Sequence, residues 1–284
     1  MAFIILLRYH HRMGPRKLLV FDLETVPDID LARKLWADDC KDLDDLACVE
    51  YIYAHHRALS ASGSDFPRPS FHKIVAIGCL LADIEMEDGF ETYHFRKLGC
   101  IGEETDDEVT LLKKFFDFGA RENLRLVSFN GLGFDNPVLK LRALHHHLPA
   151  RWFMNHLTSK WDNYHSKNAL AYHADLAEMF GSYRAMPKLD EVCTLAGLPG
   201  KLDVSGAKVY EMHLRGEMQG IRDYCETDVL NTYLLYLHHQ HLGGILPTTT
   251  MYDEFQKTRD YLEKERDKRP HLGQFLDAWN EVQA

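Results

Sequence analysis

The order of strand-like and helical segments predicts a mixed α/β fold. Three segments with the character of β-strands come first, and a short polar stretch that is typical of a hairpin joins the second to the third. Helical and strand-like segments alternate after them, which is the pattern of a sheet with helices packed against it. No internal repeat interrupts this order. The combination predicts one sheet that contains both antiparallel and parallel strands.

Five segments are predicted to form this sheet. Each is a short run rich in apolar or β-branched residues and is bounded by polar or Gly- and Pro-containing stretches. The hairpin turn is placed at residues 84–89. A long polar insertion separates the first two strands and ends in a Ser-, Gly- and Pro-rich loop at residues 60–70. The predicted strands are residues 17–24, 73–83, 90–98, 124–130 and 170–176.

The predicted helices show apolar residues at the spacing of one helical face. Pro137 near the start of the second of them agrees with its position, because proline is tolerated in the first helical turn. Two further helices are predicted in the tail of the chain. The helices precede and follow the last two strands, at residues 106–120, 136–148, 189–196, 219–237, 248–268 and 271–282.

Composition limits the class of protein. The chain has 284 residues, of which 45% are hydrophobic and 27% charged, so it can bury a sizeable core. The N-terminal apolar run at residues 2–7 is too short to span a membrane, and its positive charges follow it, so we expect neither a signal peptide nor membrane association. Met13 is an alternative translation start, which would make the preceding residues an upstream extension.

Cysteine and histidine usage indicates no structural metal site. The six cysteines form no CxxC pair, which favours free thiols and a cytoplasmic location. Adjacent residues of a helix point in different directions, so the His145–His147 run is not expected to converge on zinc. A net charge of -10 argues against wrapping long nucleic acid but not against gripping a few nucleotides.

The first candidate site residues interrupt an apolar strand. Asp22 and Glu24 are two positions apart, and because strand side chains alternate faces, both carboxylates are expected to point the same way. Two carboxylates on one buried face repel each other and lose hydration, so their site requires a cation or a raised pKa. Mg²⁺ is a simple solution, because it prefers carboxylate oxygens.

Two further carboxylates occupy positions that an apolar or capping residue would normally take. Asp135 lies where a strand opens into a helix, and taken alone it is most simply an N-cap. Asp228 falls on the core-facing stripe of the long helix, one turn after Tyr224, and no Lys or Arg near it in sequence shares that face. A tyrosine–aspartate hydrogen bond is the structural alternative. A common cation-binding cleft accounts for all of these positions together.

Three motifs resemble those of a known superfamily. "FDLET", "FNGLGFD" and "YCETD" occur in the chain order of the exonuclease motifs of the DEDD superfamily. The tyrosine type is indicated, because the histidine type would place histidine at the position of Asp223. The segments "GLPGKLDVSG" and "IRDYCETDVLNTYLLYL" resemble predicted bacterial 3′–5′ exonucleases that are related to the proofreading domain of B-family DNA polymerases.

The resemblance implies a ribonuclease H-like fold with a five-stranded mixed sheet, and metal-dependent 3′–5′ hydrolysis of single-stranded DNA, with RNA as a variant. It implies two divalent cations, Mg²⁺ or Mn²⁺, held by Asp22, Glu24, Asp135 and Asp228, with Tyr224 orienting the attacking water. The 3′ end of single-stranded nucleic acid is the expected partner, and no protein partner is assigned. The residues expected to contact the substrate are Thr25, Asn130 and Phe134.

The predicted domain organisation follows from the extent of the motifs. Residues 1–16 are assigned to an N-terminal extension, residues 17–242 to the exonuclease domain and residues 243–284 to a helical C-terminal extension. Two alternatives from other classes stay open. One is a non-catalytic nucleic-acid-binding module of the same fold, and the other is a helical interaction protein whose tail docks a partner.

Overall fold

The structure is a computed structural model that describes residues 16–155, 163–181, 185–202 and 206–283. The predicted N-terminal extension, residues 1–16, therefore lies almost entirely outside the described residues. Met13 lies outside them as well, so an alternative translation start at Met13 stays a prediction. Within the described ranges, no helix combines the length and the apolar character needed to cross a bilayer.

A single five-stranded sheet forms the centre of the fold, as predicted. Its strand order is β3-β2-β1-β4-β5. The pairs β1–β2 and β2–β3 are antiparallel, whereas β1–β4 and β4–β5 are parallel. The mixed α/β class and the ribonuclease H-like architecture are confirmed. The strands are β1 Lys17–Pro27, β2 His72–Glu87, β3 Phe90–Cys100, β4 Leu124–Ser128 and β5 His173–Asp175.

Helices cover both faces of the sheet. The insertion between the first two strands contains three helices that the sequence did not predict, because that segment is mostly polar. Each of the six predicted helices corresponds to an observed helix to within about five residues at either end, whereas the short helices α6 and α8 were not predicted. The α-helices of the described residues are α1 Ile29–Leu35, α2 Ala37–Cys40, α3 Asp45–Leu59, α4 Glu108–Arg121, α5 Asp135–His145, α6 Leu176–Phe180, α7 Leu189–Leu195, α8 Val209–Leu214, α9 Met218–Leu242, α10 Thr248–Glu265 and α11 Pro270–Val282.

The hairpin between β2 and β3 has a much shorter turn than predicted. Only Asp88 and Gly89 lie outside the strands, and both have positive φ angles, 51° and 87°. A two-residue turn with this geometry matches the twist of the flanking strands. The predicted hairpin is present, but the predicted bounds of its turn, 84–89, were wrong, because residues 84–87 belong to the end of β2, where residues 85–87 are exposed.

Successive side chains of β1 point to opposite faces of the sheet. Odd-numbered residues pack into a cluster with α4 and α5, whereas even-numbered residues pack against α9. Both sides are apolar in the first half of the strand, so β1 is buried between two layers. The odd-numbered members are Leu19, Phe21 and Leu23, and the even-numbered members are Leu18 and Val20.

The C-terminal helices α10 and α11 pack on the same core. Phe275 and Trp279 share a buried cluster with Tyr233 of α9. Glu226 on α9 forms an ion pair with Arg269, just before α11. The predicted helical C-terminal region is confirmed, and the proposed boundary at residues 242 and 243 stays a prediction.

In the described residues, the cysteines form no disulfide, and the histidine run lies beside an acidic residue of α4. All six cysteines are free thiols. His146, directly after α5, donates a hydrogen bond of 2.7 Å from its Nε2 to the carboxylate of Glu108. The clusters of potential metal ligands found in the described residues do not include the His145–His147 run.

Candidate active site

Asp22 and Glu24 continue the even-numbered face of β1 beneath α9. Glu24 is buried and Asp22 is half-buried. Their carboxylate oxygens and the sulfur of Cys225 all lie within 4.8 Å of one another. The prediction that both carboxylates point the same way is confirmed. Val26, the next residue on this face, returns to an apolar cluster, so the two charges interrupt an otherwise apolar stripe.

Tyr224 and Asp228 face this pair from α9. Both side chains are buried, so the predicted core-facing stripe of the helix is confirmed. The helix lies very close to the sheet at Gly78, which pairs with Asp22 in the β1–β2 register. A Cβ atom on Gly78 would lie 2.7 Å from the sulfur of Cys225 and 3.1 Å from its carbonyl oxygen. The absence of a side chain at this position therefore sets the distance between α9 and the carboxylates of β1.

Replacing Gly78 with alanine is expected to move α9 away from β1. Overpacking of this kind costs about 1–3 kcal/mol of unfolding free energy, and it should weaken metal-dependent activity because Asp228 moves away from Asp22. Urea denaturation and metal titration of activity measure the two effects. Gly99→Ala is the matched control, because the nearest atom to a Cβ there is 4.0 Å away. Unchanged stability and activity in Gly78→Ala would show that the close approach is unimportant.

Asp135 reaches the site because β4 is shorter than β1. The parallel pairing of these strands ends near Ser128, and β1 continues to Pro27, so the amide of Leu23 is available on that edge. Leu23 N donates a hydrogen bond to Asp135 Oδ1 at 3.1 Å. The N-cap position of α5 is occupied by Phe134 instead. The interpretation of Asp135 as an N-cap was wrong, because its carboxylate turns towards β1.

Burial raises the pKa of each of the four carboxylates. For Asp22, loss of hydration has the largest effect, followed by the charges of Asp135 and Asp228. Glu24 is raised by burial and then by Asp22. The pKa of Asp135 is raised to about 7, mainly by burial. Burial also raises the pKa of Asp228, and Lys201 opposes that shift. Without additional positive charge, the cluster therefore takes up protons.

Lys201 provides positive charge that the sequence analysis did not place. Its Nζ lies 3.4 Å from Asp228 Oδ2 and donates a hydrogen bond of 2.6 Å to the Tyr224 hydroxyl. Helical spacing relates Asp228 only to residues near it on α9, whereas Lys201 belongs to the loop that follows α7. The only sequence signal was its position in the "GLPGK" segment of the resemblance.

Tyr224 remains protonated in this environment. Burial has the largest effect on the pKa of its phenol, and the negative charges of Asp228, Glu24 and Asp22 raise it further. A phenol of raised pKa is a poor general base. Its hydroxyl accepts the hydrogen bond from Lys201, which fixes the position of the oxygen without removing the proton.

Asp175 holds the loop that connects β4 to α5. Its carboxylate accepts hydrogen bonds from the backbone N–H groups of Asn130 at 2.7 Å and Leu132 at 2.8 Å. Asn130 adopts a φ of 64° and is exposed. No role was predicted for Asp175 from the sequence; in the structure it anchors the loop before Asp135.

A cleft of about 460 Å³ opens over the carboxylates. Thr25 and Phe134 line it, together with Asp22, Glu24 and Asp228. Two predicted site residues, Asn130 and Asp135, do not line this cleft. The structure therefore brings six of the eight predicted site residues to the lining of one cleft and leaves Asn130 and Asp135 outside that lining.

The donor set fits divalent cations that prefer oxygen. Asp228 Oδ1 is buried and has no hydrogen-bond partner among the described residues. Mg²⁺ and Mn²⁺ bind carboxylate oxygens and keep several waters. Burial raises the pKa of the Cys225 thiol, so it stays neutral and is not a ligand of the kind these ions prefer. Asp22, Glu24, Asp135 and Asp228 can therefore hold such ions once they are deprotonated.

The mixed sheet and the acidic cleft beside its central strand define a ribonuclease H-like protein with a site suited to divalent cations. The chain belongs to the family described as "Predicted 3'-5' exonuclease related to the exonuclease domain of PolB", which matches residues 64–279. This match confirms the resemblance inferred from the motifs. Asp22 and Glu24 precede the matched residues, whereas Asp135, Tyr224 and Asp228 lie within them.

A solved structure that is similar to this chain is the family B DNA polymerase from the hyperthermophilic archaeon Pyrobaculum calidifontis. The two share 18% sequence identity with a TM-score of 0.42, over 77% of this chain and 24% of the polymerase. The chain thus corresponds to about a quarter of that polymerase's length. No curated protein matches the chain.

Proposed function

We propose that the protein is a metal-dependent 3′–5′ exonuclease that hydrolyses the terminal phosphodiester bond of single-stranded DNA and releases nucleoside 5′-monophosphates. The observation that carries this proposal is the convergence of carboxylates from three separate segments. Asp22 and Glu24 of β1 and Asp228 of α9 line one cleft, and Asp135 of α5 lies close enough for its charge to raise the pKa of Asp22. Buried like charges are costly, and a protein that only bound nucleic acid would gain nothing from them. The family match supports the direction of hydrolysis.

The carboxylates are assigned to two divalent cations, Mg²⁺ or Mn²⁺. Asp22, Glu24 and Asp228 would hold one ion, and Asp22 and Asp135 would hold the second. Bound ions of this kind lower the pKa of water and stabilise the charge that develops on the phosphate oxygens. Leu23 N–H fixes one oxygen of Asp135, so this side chain is pre-oriented before any ion binds.

Tyr224 is assigned to orienting the attacking water through its hydroxyl. The proton that the raised pKa retains makes the phenol a hydrogen-bond donor. Lys201 fixes the hydroxyl oxygen from the other side. Thr25, Asn130 and Phe134 are assigned to contacts with the terminal nucleotides, Phe134 by stacking on a base.

Tyr224→Phe is expected to slow the chemical step while substrate affinity barely changes. The variant keeps the ring and all four carboxylates and removes only the hydroxyl, so a loss of about 10²-fold is expected. Single-turnover degradation of a labelled oligonucleotide gives the chemical step, and its binding in Ca²⁺ gives the affinity. An unchanged rate would leave Tyr224 as a packing residue.

The direct test is incubation of the purified protein with 5′-labelled DNA and RNA, single- and double-stranded, in Mg²⁺, Mn²⁺ or EDTA. The proposal expects progressively shorter labelled products from single-stranded DNA, in the presence of either metal and not in EDTA. Release of a labelled mononucleotide as the first product would indicate 5′–3′ cleavage and contradict the proposal. Binding without hydrolysis would support the non-catalytic alternative. Efficient degradation of RNA would extend the substrate class.

The cytoplasmic location stays a prediction from the cysteine content.

A further inference from the structure

Phe66 is an exposed aromatic residue at the mouth of the cleft. It lies in the loop between α3 and β2, lines the cleft and is 60% exposed. Its ring centroid lies 5.3 Å from that of Phe134 and 5.0 Å from that of His72. The rings of His72 and Phe134 meet edge to face, with centroids 4.8 Å apart. One part of the Phe66 ring is therefore supported by aromatic neighbours, while the rest is open to solvent.

His72 connects the loop that carries Phe66 to strand β1. His72 is buried. Its Nε2 lies 3.0 Å from the carbonyl oxygen of Pro67, which can only accept, so Nε2 carries the proton. The other ring nitrogen then accepts the hydrogen bond of 2.8 Å from the hydroxyl of Thr25. Burial lowers the pKa of His72 to about 4, which keeps the ring neutral near pH 7.

These contacts make a continuous connection from the carboxylates to the exposed ring. Thr25 follows Glu24 on β1, and Pro67 follows Phe66 in the loop. Tyr53 and Tyr210 line the cleft as well and are half-buried. Carboxylates and aromatic rings therefore line the same cleft, with the exposed ring held in a fixed place.

The chemistry of the cleft favours one kind of occupant for the open face of Phe66. In the proposed function, the carboxylates and their ions take the phosphate of the terminal nucleotide. The sugar and the phosphate are polar, so the base is the part of the substrate with an apolar face. Proteins bind single strands by stacking bases on aromatic side chains of this kind.

We propose that Phe66 is a base-stacking residue of this site, and that its exposed face receives an unpaired base near the 3′ end of a single strand. The inference rests on the proposed exonuclease function and adds a binding residue to it. Phe134 and His72 support the ring from the protein side. A paired base is covered by its neighbours in the duplex, so stacking on Phe66 favours unpaired ends.

The test compares Phe66→Ala and Phe66→Trp with the native protein. Binding of a 5′-fluorescein single-stranded oligonucleotide is measured by fluorescence anisotropy in Ca²⁺, with the length of the oligonucleotide checked afterwards. Loss of one stacking contact is expected to weaken binding by about 5- to 100-fold in Phe66→Ala. Phe66→Trp keeps a stacking surface and should stay within about threefold of native affinity. Phe90→Ala is the matched control, because Phe90 is 43% exposed and lies at the β2–β3 turn.

Oligonucleotides with a single abasic site identify the stacked base. When the stacked nucleotide lacks its base, the native protein and Phe66→Ala should bind with equal affinity. The abasic site is moved over the last three positions of the oligonucleotide. At one of these positions, the native protein and Phe66→Ala should have equal affinities. Equal affinities of the two proteins for the intact oligonucleotide, with native degradation still present, would overturn the inference and leave the proposed function standing. A native protein that neither binds nor degrades the oligonucleotide would overturn both.

Discussion

Replacing Asp228 with asparagine is expected to abolish phosphodiester hydrolysis without unfolding the metal-free protein. The substitution removes a carboxylate assigned to a cation, and a loss of several kcal/mol of transition-state stabilisation corresponds to roughly 10³-fold or more in rate. The buried cluster also loses one of its four mutually repelling carboxyl groups, so the unfolding free energy in EDTA should stay the same or rise. Lys201 loses its ion pair, but its side chain is about one-third exposed and can reach water.

Two measurements on Asp228→Asn separate chemistry from stability. Single-turnover degradation gives the rate, and urea denaturation in EDTA gives the unfolding free energy. Asp253→Asn, which changes an exposed carboxylate on α10, is the matched control and should behave like the native protein. If Asp228→Asn unfolds in EDTA, Asp228 serves as a structural partner of Tyr224 and Lys201, and its assignment to a cation fails.

The buried carboxylates are expected to lower the stability of the metal-free protein as the pH rises from about 4 to about 7. The pKa of Asp135 is about 7 in the folded protein, against an ordinary value of 3.8. The folded state therefore holds more protons than the unfolded chain across this window, and the unfolding free energy falls as the pH rises through it. One such group contributes at most about 1.4 kcal/mol per pH unit. Asp22, Glu24 and Asp228 have raised pKa values and act in the same direction.

Histidines complicate this pH dependence, so the comparison requires a variant. Burial lowers the pKa of His72 and His173 to about 4. Their contribution to stability has the opposite sign and is lost as the pH falls. Asp135→Asn retains both histidines, so the difference in unfolding free energy between native protein and variant isolates the carboxylate. The unfolding free energy of the native protein should fall steadily relative to that of Asp135→Asn as the pH rises from 4.5 to 7.5. A constant difference would contradict the predicted shift.

Saturating Mn²⁺ should reverse this loss in the native protein. Ions that bind the folded carboxylates and not the unfolded chain raise the unfolding free energy, and they do so most at high pH, where the carboxylates are deprotonated. The measurement is urea denaturation at pH 7.5 with and without Mn²⁺. Equal stabilisation of Asp228→Asn and native protein would mean that the stabilising ions bind elsewhere.

The order of the strands along the chain and the positions of the charged residues on them were predictable from local sequence. A strand alternates faces and a helix repeats every 3.6 residues, so the directions of Glu24 and Asp228 relative to their own backbones follow from spacing alone. The hairpin turn was misplaced because exposed strand residues have the same polar composition as a turn. Helices α1 to α3 were missed because their segment lacks a clear apolar stripe.

The sequence by itself determined which carboxylates leave the apolar pattern, and it led to the expectation that Asp22, Glu24 and Asp228 share one cleft. Whether α9 brings Asp228 to the carboxylates of β1 depends on how these two elements pack. Tertiary structure alone decided the partners that come from distant segments. Lys201 is 27 positions from Asp228, and Asp135 binds the amide of Leu23, 112 positions away. Periodicity fixes the direction of a side chain within its own element, whereas these contacts depend on how separate elements pack and where a neighbouring strand ends. The exposure of Phe66 beside the cleft has the same origin.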